Sequence, residues 1–450
     1  MLLGTMDELQ GEASYHFRIL GRIYPEVILE VPGFDAWKEQ ASLIKSAWLI
    51  VDTIFGTGIN KPIGGFLKGV IADLNFNGSI IVSVDIASGI NGSNGKIMGC
   101  AIRASKTYTI SMMKLGHVLY PGAQYSGVLE VIDIGFSEKI YNKILFIHEY
   151  STFTEYVGKL PLRDPNSHKG SFGHAFIISG SRGKTGASIL CALACARVGA
   201  GLVTLAVPEH EYNHCSSRLI EVMKLKLEAN EFGQFQYSKN NIENLSENLK
   251  GKRTVVFGPG VGISEDTTKL MVYLLKNVNV PLVIDADGIN VLVGKLTDIL
   301  KRNTDICVLT PHPGEMARLI GVRISDILEN RVEIARKFAI NLNIFLVLKG
   351  ARTITACPNG LVWINSSGNP GMASGGMGDV LAGLLGGFLA QGLDPYVAVP
   401  MAVFVHGLAG DRIATLKGQY GLLATDLFEQ VPSILQEFTQ KKKGSYIQTV

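Results

Sequence analysis

The sequence predicts an α/β protein of two parallel-sheet domains, on three observations. Apolar runs of strand length recur along the chain, separated by segments long enough for crossovers. Glycine turns and single acids stand at the carboxyl ends of those runs, where open α/β sheets bind ligands. From about 137 to 160 the pattern loses regularity and divides a shorter half from a longer one.

Composition narrows the function classes. A chain of 450 residues that is 47% hydrophobic and 18% charged can bury large cores and is not a disordered one. A net charge of +3 gives no footprint for nucleic acid or a membrane surface, and Lys441 to Lys443 read as a solvated tail. The run 379–391 is too short to cross a bilayer, so Gly383 and Gly387 read as close helix packing. The first residues lack a basic region and a cleavage site, and the six cysteines lack metal spacing. The expectation is a cytoplasmic protein with a small-molecule substrate, no nucleic-acid or membrane partner, and a homo-oligomeric state.

In the first half, residues 1–40 carry no clear motif. Strand signals follow at 48–56, 80–89, 107–114 and 128–135. The first ends in Asp52 and F-G-T-G-I-N-K-P (55–62), the second in Asp85 and A-S-G-I-N-G (87–92). A strand-end Asp can simply cap the next turn. Two acids with two glycine turns at one sheet edge favour a ligand site.

The second half opens at L-P-L-R-D-P-N-S-H-K-G (160–170). A strand, the turn S-G-S-R-G-K-T-G-A-S and an Ala-rich helix follow; Ile178 stands where a nucleotide-binding P-loop requires glycine, which excludes that motif. Later strand ends carry G-P-G-V-G (258–262), D-A-D-G-I-N (285–290), T-P-H-P-G-E (310–315) and K-G-A-R-T (349–353). His210-Glu-Tyr-Asn-His214 matches a zinc-protease pattern, but it follows Pro208 at a strand end with no third ligand nearby. Its histidines are expected on the surface of a short helix.

The densest signal is G-N-P-G-M-A-S-G-G-M-G-D (368–379), followed by an apolar helix expected to begin near Asp379. Closely spaced glycines bring bare N–H groups to a ligand, and a helix start adds its unpaired donors and dipole. Asp379 as a plain N-cap would not need five glycines before it, so phosphate binding with Asp379 as a reacting group is the better reading.

These motifs resemble two known families. V-D-T-I-F-G-T-G, V-D-I-A-S-G-I-N-G and K-L-G-H-V-L-Y-P-G-A-Q-Y-S-G (114–127) resemble the NAD(P)H-hydrate epimerase domain, a Rossmann-like parallel-sheet domain. The resemblance implies K⁺ ligands at Asp52 and Ser88. It implies hydrate contacts at Gly56, Thr57, Gly58, Ile59, Asn60, Lys61, Pro62 and Asp85. Ala87 stands where that family usually has proline, and its first strand and Asn-Asn-Gly-Gly-Asp loop are not found upstream. The expectation is an incomplete domain over 1–145 with impaired epimerase activity, a linker at 146–160, and a second domain over 161–440.

The second domain resembles the ADP/ATP-dependent NAD(P)H-hydrate dehydratases of the ribokinase-like superfamily, with six motifs in family order. The resemblance implies hydrate contacts at Ala187, Gly262, His312 and Asp379. Nucleotide contacts fall on Lys349, Gly350, Ala351, Arg352, Thr353 and Gly378, and Asp379 is the catalytic acid–base group. Met377 replaces a threonine common in that loop. The implied cofactors are ADP or ATP with Mg²⁺, and K⁺ for the first domain. Phosphorylating the ring hydroxyl of the hydrate makes a good leaving group, and elimination restores the nicotinamide. The alternatives are a small-molecule kinase such as a hydroxyethylthiazole kinase-like enzyme, and a non-catalytic N-terminal binding module.

Overall fold

A computed structural model describes residues 1–141 and 143–439, which form two units, one of Met1–Leu145 and one beginning at Phe146. The lysines at 441–443 lie outside the described residues. The smaller unit is built on four parallel strands, β1 (Leu49–Asp52), β2 (Ile80–Val84), β3 (Lys106–Ile110) and β4 (Val128–Ile132), in the order β1-β2-β3-β4. Helix Gly65–Phe76 crosses from β1 to β2 and buries Val70, Ile71 and Leu74, which join a core with Trp37, Ile81 and Ile86. The strands are shorter than the apolar runs suggest because the chain leaves the sheet at its acids. Asp85 takes φ 69°, a left-handed conformation in which a strand cannot continue.

The larger unit holds ten strands: β5 (His148–Ser151), β6 (His174–Ile178), β7 (Leu202–Pro208), β8 (Met223–Leu227), β9 (Thr254–Phe257), β10 (Leu282–Ile284), β11 (Cys307–Leu309), β12 (Phe345–Leu348), β13 (Ile354–Ala356) and β14 (Val362–Asn365). Their order is β5-β14-β13-β12-β11-β10-β9-β6-β7-β8, and every pairing is parallel except the two that β13 makes. Strands β6, β9, β10, β11 and β12 lie side by side with all their carboxyl ends on one edge, and β9 to β12 are buried along their length.

The expected linker at 146–160 is corrected by this sheet. His148–Ser151 pairs with β14, and the Ser151 hydroxyl lies 2.9 Å from that of Tyr156. Tyr156 is buried against Phe404 and Phe438. The segment is irregular in sequence because it contributes one edge strand and one aromatic anchor, too few residues to set a period.

Helix Met377–Ala390 follows the glycine loop and is buried along nearly its whole length. It lies against helix Thr185–Arg197 with backbones in close approach. A Cβ on Gly383 would stand 2.2 Å from the Cys191 carbonyl oxygen, and one on Gly387 2.1 Å from a Val198 methyl. The long helix Pro395–Lys417 has the length and apolarity to cross a bilayer, a match not anticipated from the sequence, and 67% of its most apolar window is buried inside the fold.

Because the Gly383 contact is with backbone, which cannot swing aside, Gly383→Ala is expected to cost about 1–3 kcal/mol of stability. Urea unfolding of the full chain measures this. A cost indistinguishable from zero would mean the two helices are free to separate.

Candidate active site

The carboxyl ends of β10, β11 and β12 deliver Asp285, Thr310 and Lys349 to one point. The Thr310 hydroxyl donates to Asp285 Oδ1 at 2.5 Å, and Lys349 Nζ donates to the same oxygen at 2.8 Å. Glu315 Oε2 lies 3.8 Å from the same ammonium. Asp285 is 1% exposed and Glu315 6%. Burial works against the charge on Lys349, but Asp285 and Glu315 outweigh it and hold its pKa above the ordinary lysine range.

Gly378 backs onto this cluster. A Cβ there would sit 3.4 Å from Lys349 Nζ and 3.8 Å from Asp285 Oδ2. The helix begins at Met377, two residues before the expected start, with Gly376 as N-cap at φ 89° and no side chain capping the first turn. Asp379 is therefore inside the first turn and is not the cap. Its pKa is pushed up to about 7, first by burial and then by the negative charge of Asp285, while Lys349 pulls the other way. A carboxylate near neutrality beside uncapped helix N–H groups can take a proton from a substrate while the donors face an anion.

The expected hydrate contacts Ala187 and Gly262 both lie at the 258–262 turn. Gly262 N donates to Asp287 Oδ2 at 2.9 Å, and Lys184 Nζ donates to the same oxygen at 2.8 Å. The Cβ of Ala187 would stand 3.1 Å from one placed on Gly260. His312 is half exposed and caps helix Pro313–Ile320: its Nδ1 accepts from Gly314 N at 3.0 Å and Glu315 N at 3.4 Å. The other ring nitrogen, Nε2, lies 3.5 Å from Glu315 Oε1.

Residues Gly350 to Thr353 form a turn that the strand signal did not describe. Gly350 takes φ 139° and Arg352 φ 56°, and the Thr353 hydroxyl donates to the Gly350 carbonyl at 2.9 Å. Arg331, not anticipated from the sequence, donates to the Ala351 carbonyl at 2.7 Å. The Arg352 guanidinium reaches the Ser366 carbonyl, just ahead of the glycine loop. Asp285, Asp287 and Glu315 lay inside quoted motifs without an assigned role; Asp285 directly follows its strand, and Glu315 stands in the first turn of the helix after β11.

In the smaller unit, the turn predicted at 56–62 lines a cavity of about 470 Å³ with Ile54, Phe55, Ile63 and Leu67, although Thr57 is not among its walls. Asp52, 2% exposed, accepts from the Ser83 hydroxyl at 2.7 Å, Ser88 N at 2.9 Å and the Ser88 hydroxyl at 2.5 Å. Asp85 pairs with Lys114, which also donates to the Thr109 hydroxyl at 2.9 Å. Burial pushes the Asp85 pKa up, but the Lys114 and Ile110 hydrogen bonds outweigh it and hold the carboxyl below its usual range. Lys114 stood in a quoted motif without a role. His117, beside both, is buried and pushed down to about 4 by burial and Lys114.

The zinc-protease pattern is spent differently. His210 and His214 are exposed on helix Glu209–Arg218, while Glu211 is buried and accepts a hydrogen bond from the Thr185 hydroxyl. Among the described residues no group of three or more His, Cys, Asp or Glu could hold a metal ion.

Residues 175–433 match the NAD(P)H-hydrate dehydratase family, and residues 1–116 match the YjeF-related protein N-terminus family. The bifunctional NAD(P)H-hydrate repair enzyme Nnr of Moorella thermoacetica is 38% identical over 440 residues, covering 98% of this chain and 82% of the relative. The Escherichia coli enzyme of the same name is 32% identical, covering 90% and 78%. Among solved structures, the Bacillus subtilis ADP/ATP-dependent NAD(P)H-hydrate dehydratase co-crystallised with ATP and Mg²⁺ is similar with a TM-score of 0.56 at 29% identity. The match covers 64% of this chain and 97% of that one. The chain belongs to the family of bifunctional NAD(P)H-hydrate repair enzymes.

Proposed function

We propose that the larger unit dehydrates the S epimer of NADH or NADPH hydrate at the expense of ADP or ATP, with Asp379 as the acid–base group. The observation that carries the reading is Asp379 itself, half-buried in the uncapped first turn of the glycine-loop helix with a pKa near neutrality. Its carboxylate takes the proton of the ring hydroxyl as that oxygen attacks the terminal phosphoryl group. The bond from that phosphorus to the bridging oxygen breaks, and its electrons leave with the shortened nucleotide. The phosphorylated oxygen then departs as inorganic phosphate, a proton is lost from the neighbouring ring carbon, and the dihydronicotinamide double bond is restored. The N–H groups of the loop and Lys349 face the charge on the transferring group. Ala187, Gly262 and His312 form the hydrate wall, and Lys349 to Thr353 with Gly378 the nucleotide wall.

The B. subtilis dehydratase was crystallised with ATP and Mg²⁺, which supports the same pair here. Mg²⁺ takes one or two carboxylates and completes its shell with water and phosphate oxygens. Asp285 and Glu315 are already engaged by Lys349, so the ion would be held mainly by phosphate oxygens and water, where it would neutralise phosphate charge. A small-molecule kinase would use the same loop, but it would release a phosphorylated product where a dehydratase releases NADH and phosphate. The dehydratase family match favours the latter.

For the smaller unit the reading is an epimerase-type hydrate site, with the 56–62 turn as its wall and Asp85 as its polar contact. The Ser88 hydroxyl has Asp52 Oδ1 at 2.5 Å and the Phe55 carbonyl oxygen at 3.2 Å, an oxygen group suited to K⁺.

Asp379→Asn keeps the shape of the side chain and loses the base. Dehydration of the S hydrate is expected to fall about a hundredfold or more, with nucleotide affinity unchanged. Turnover followed by NADH absorbance, beside nucleotide titration, decides it. Near-normal turnover would sink the assignment, and joint loss of folding would make Asp379 structural.

The base must be ionised, so hydrate kcat/KM is expected to fall as pH drops through about 7. Asp285 raises the Asp379 pKa, and Asp285→Asn removes that charge and leaves Lys349 freer to stabilise the carboxylate. Both changes lower the pKa, so the acid limb moves to lower pH. A limb that stays in place or moves upward would contradict the electrostatic assignment, whatever the change in rate.

With only the R hydrate supplied, the impaired epimerase half is expected to give NADH recovery only modestly above the rate of spontaneous epimerisation, and Asp85→Asn is expected to remove that excess, while recovery from the S hydrate is unaltered. Equal R-hydrate rates in the two proteins would remove Asp85 from the epimerase reading.

A further inference from the structure

The glycine loop owes its shape before Gly376 to the long helix Pro395–Lys417. The Asp411 carboxylate accepts from Gly368 N at 2.8 Å through Oδ2, and from Asn369 Nδ2 at 2.9 Å through Oδ1. Asn369 Oδ1 in turn accepts from Gly371 N at 3.0 Å and caps the short turn Pro370–Met372. The Ser367 hydroxyl donates to the Phe404 carbonyl, about two turns earlier on the same helix, at 2.9 Å. Two glycines on that helix face let the loop lie flat on it. A Cβ on Gly407 would stand 2.3 Å from Ser367 Oγ, and one on Gly410 2.4 Å from Met372 Sδ.

We propose that Asp411 is a positioning residue for nucleotide use, holding Gly368 and Asn369 so that the loop is set before phosphate arrives. The inference rests on the reading of the glycine loop as the phosphate site. A stretch this rich in glycine loses much conformational entropy when it is ordered. If a nucleotide had to order it, that cost would come out of the binding free energy. The Asp411 carboxylate orders the loop in advance from a rigid helix, through two donors of adjacent residues. Its two oxygens are both used in this way, and Asn369, turned by the first contact, passes the constraint on to Gly371. Asp411 touches none of the groups assigned to the reacting atoms, so its loss is expected in binding and not in the chemical step.

Steady-state kinetics of the full chain carrying Asp411→Ala, Asp411→Asn or Asn369→Ala, and of the double variant Asp411→Ala with Asn369→Ala, tests this. The apparent nucleotide KM is expected to rise about tenfold or more, with kcat and hydrate KM changed by less than about threefold. The double variant is expected to behave like the Asp411→Ala single, because both residues act through one clamp. An unchanged nucleotide KM would overturn the proposal. A fall in kcat together with a rise in both KM values and a lower melting temperature would overturn it too, since that pattern marks a merely structural role. Should Asp411→Ala not fold, Asp411→Asn decides, because it keeps the size and one acceptor. Nucleotide-induced stabilisation of the unaltered chain separates the two readings. Its absence removes the phosphate site and this inference with it, whereas its presence in equal measure in Asp411→Asn removes this inference alone.

Discussion

Asp285, Lys349 and Glu315 meet where little water can reach them, and the larger unit is arranged around satisfying them. Taking such charges out of water is costly, and removing one partner would strand the others at a cost of about 3–5 kcal/mol. The pairing is possible only because β10, β11 and β12 are neighbours running in one direction. Each ends within a residue of the group it delivers, so Asp285, Thr310 and Lys349 stand side by side. Gly378 completes the arrangement by having no side chain, which lets the start of the next helix press against the ammonium.

The position of Asp379 follows from packing as much as from charge. Its helix cannot shift, because Gly383 and Gly387 bring its backbone against that of Thr185–Arg197. That second helix carries Ala187, and the turn before it carries Lys184, which pairs with Asp287. One helix pair therefore fixes the distance between Asp379 and Ala187. Held there, Asp379 is near enough to Asp285 for like-charge repulsion to add to burial, and together they push its pKa up to about 7.

Much of this was legible in the sequence because its signals are local. Apolar runs gave the parallel strands, and glycine density with strand-end acids marked the edge where Asp285, Lys349 and Gly378 meet. The short strands β8, β13 and β14 were not legible, since three to five residues are too few to set a period. The linker reading of 146–160 failed for a related reason: β5 is a strand only because β14 lies beside it, over two hundred positions away in the chain. Arg331 and Asp411 were invisible for the same cause. Each is one charged residue in a helix, and its role comes from a loop it meets only in the fold.

D-A-D-G-I-N shows why the roles of two acids two residues apart could not be separated by spacing alone. In a continuing strand, side chains two apart point to the same face. Here β10 stops at Ile284, and Ala286 takes φ 51° and ψ −119°, an unusual conformation for a residue with a side chain. Gly258 permits it: a Cβ there would stand 2.0 Å from the Asp285 carbonyl oxygen, so the two strand ends close on each other only as glycine and bare carbonyl. The twist sends Asp285 to Lys349 and the glycine-loop helix, and Asp287 to Lys184 and Gly262. Strain of this kind costs about 1–3 kcal/mol and persists where the surroundings over-determine it. At this position it divides one short motif between two clusters, which is what lets a single strand end couple the group beside Asp379 to the turn that carries Gly262.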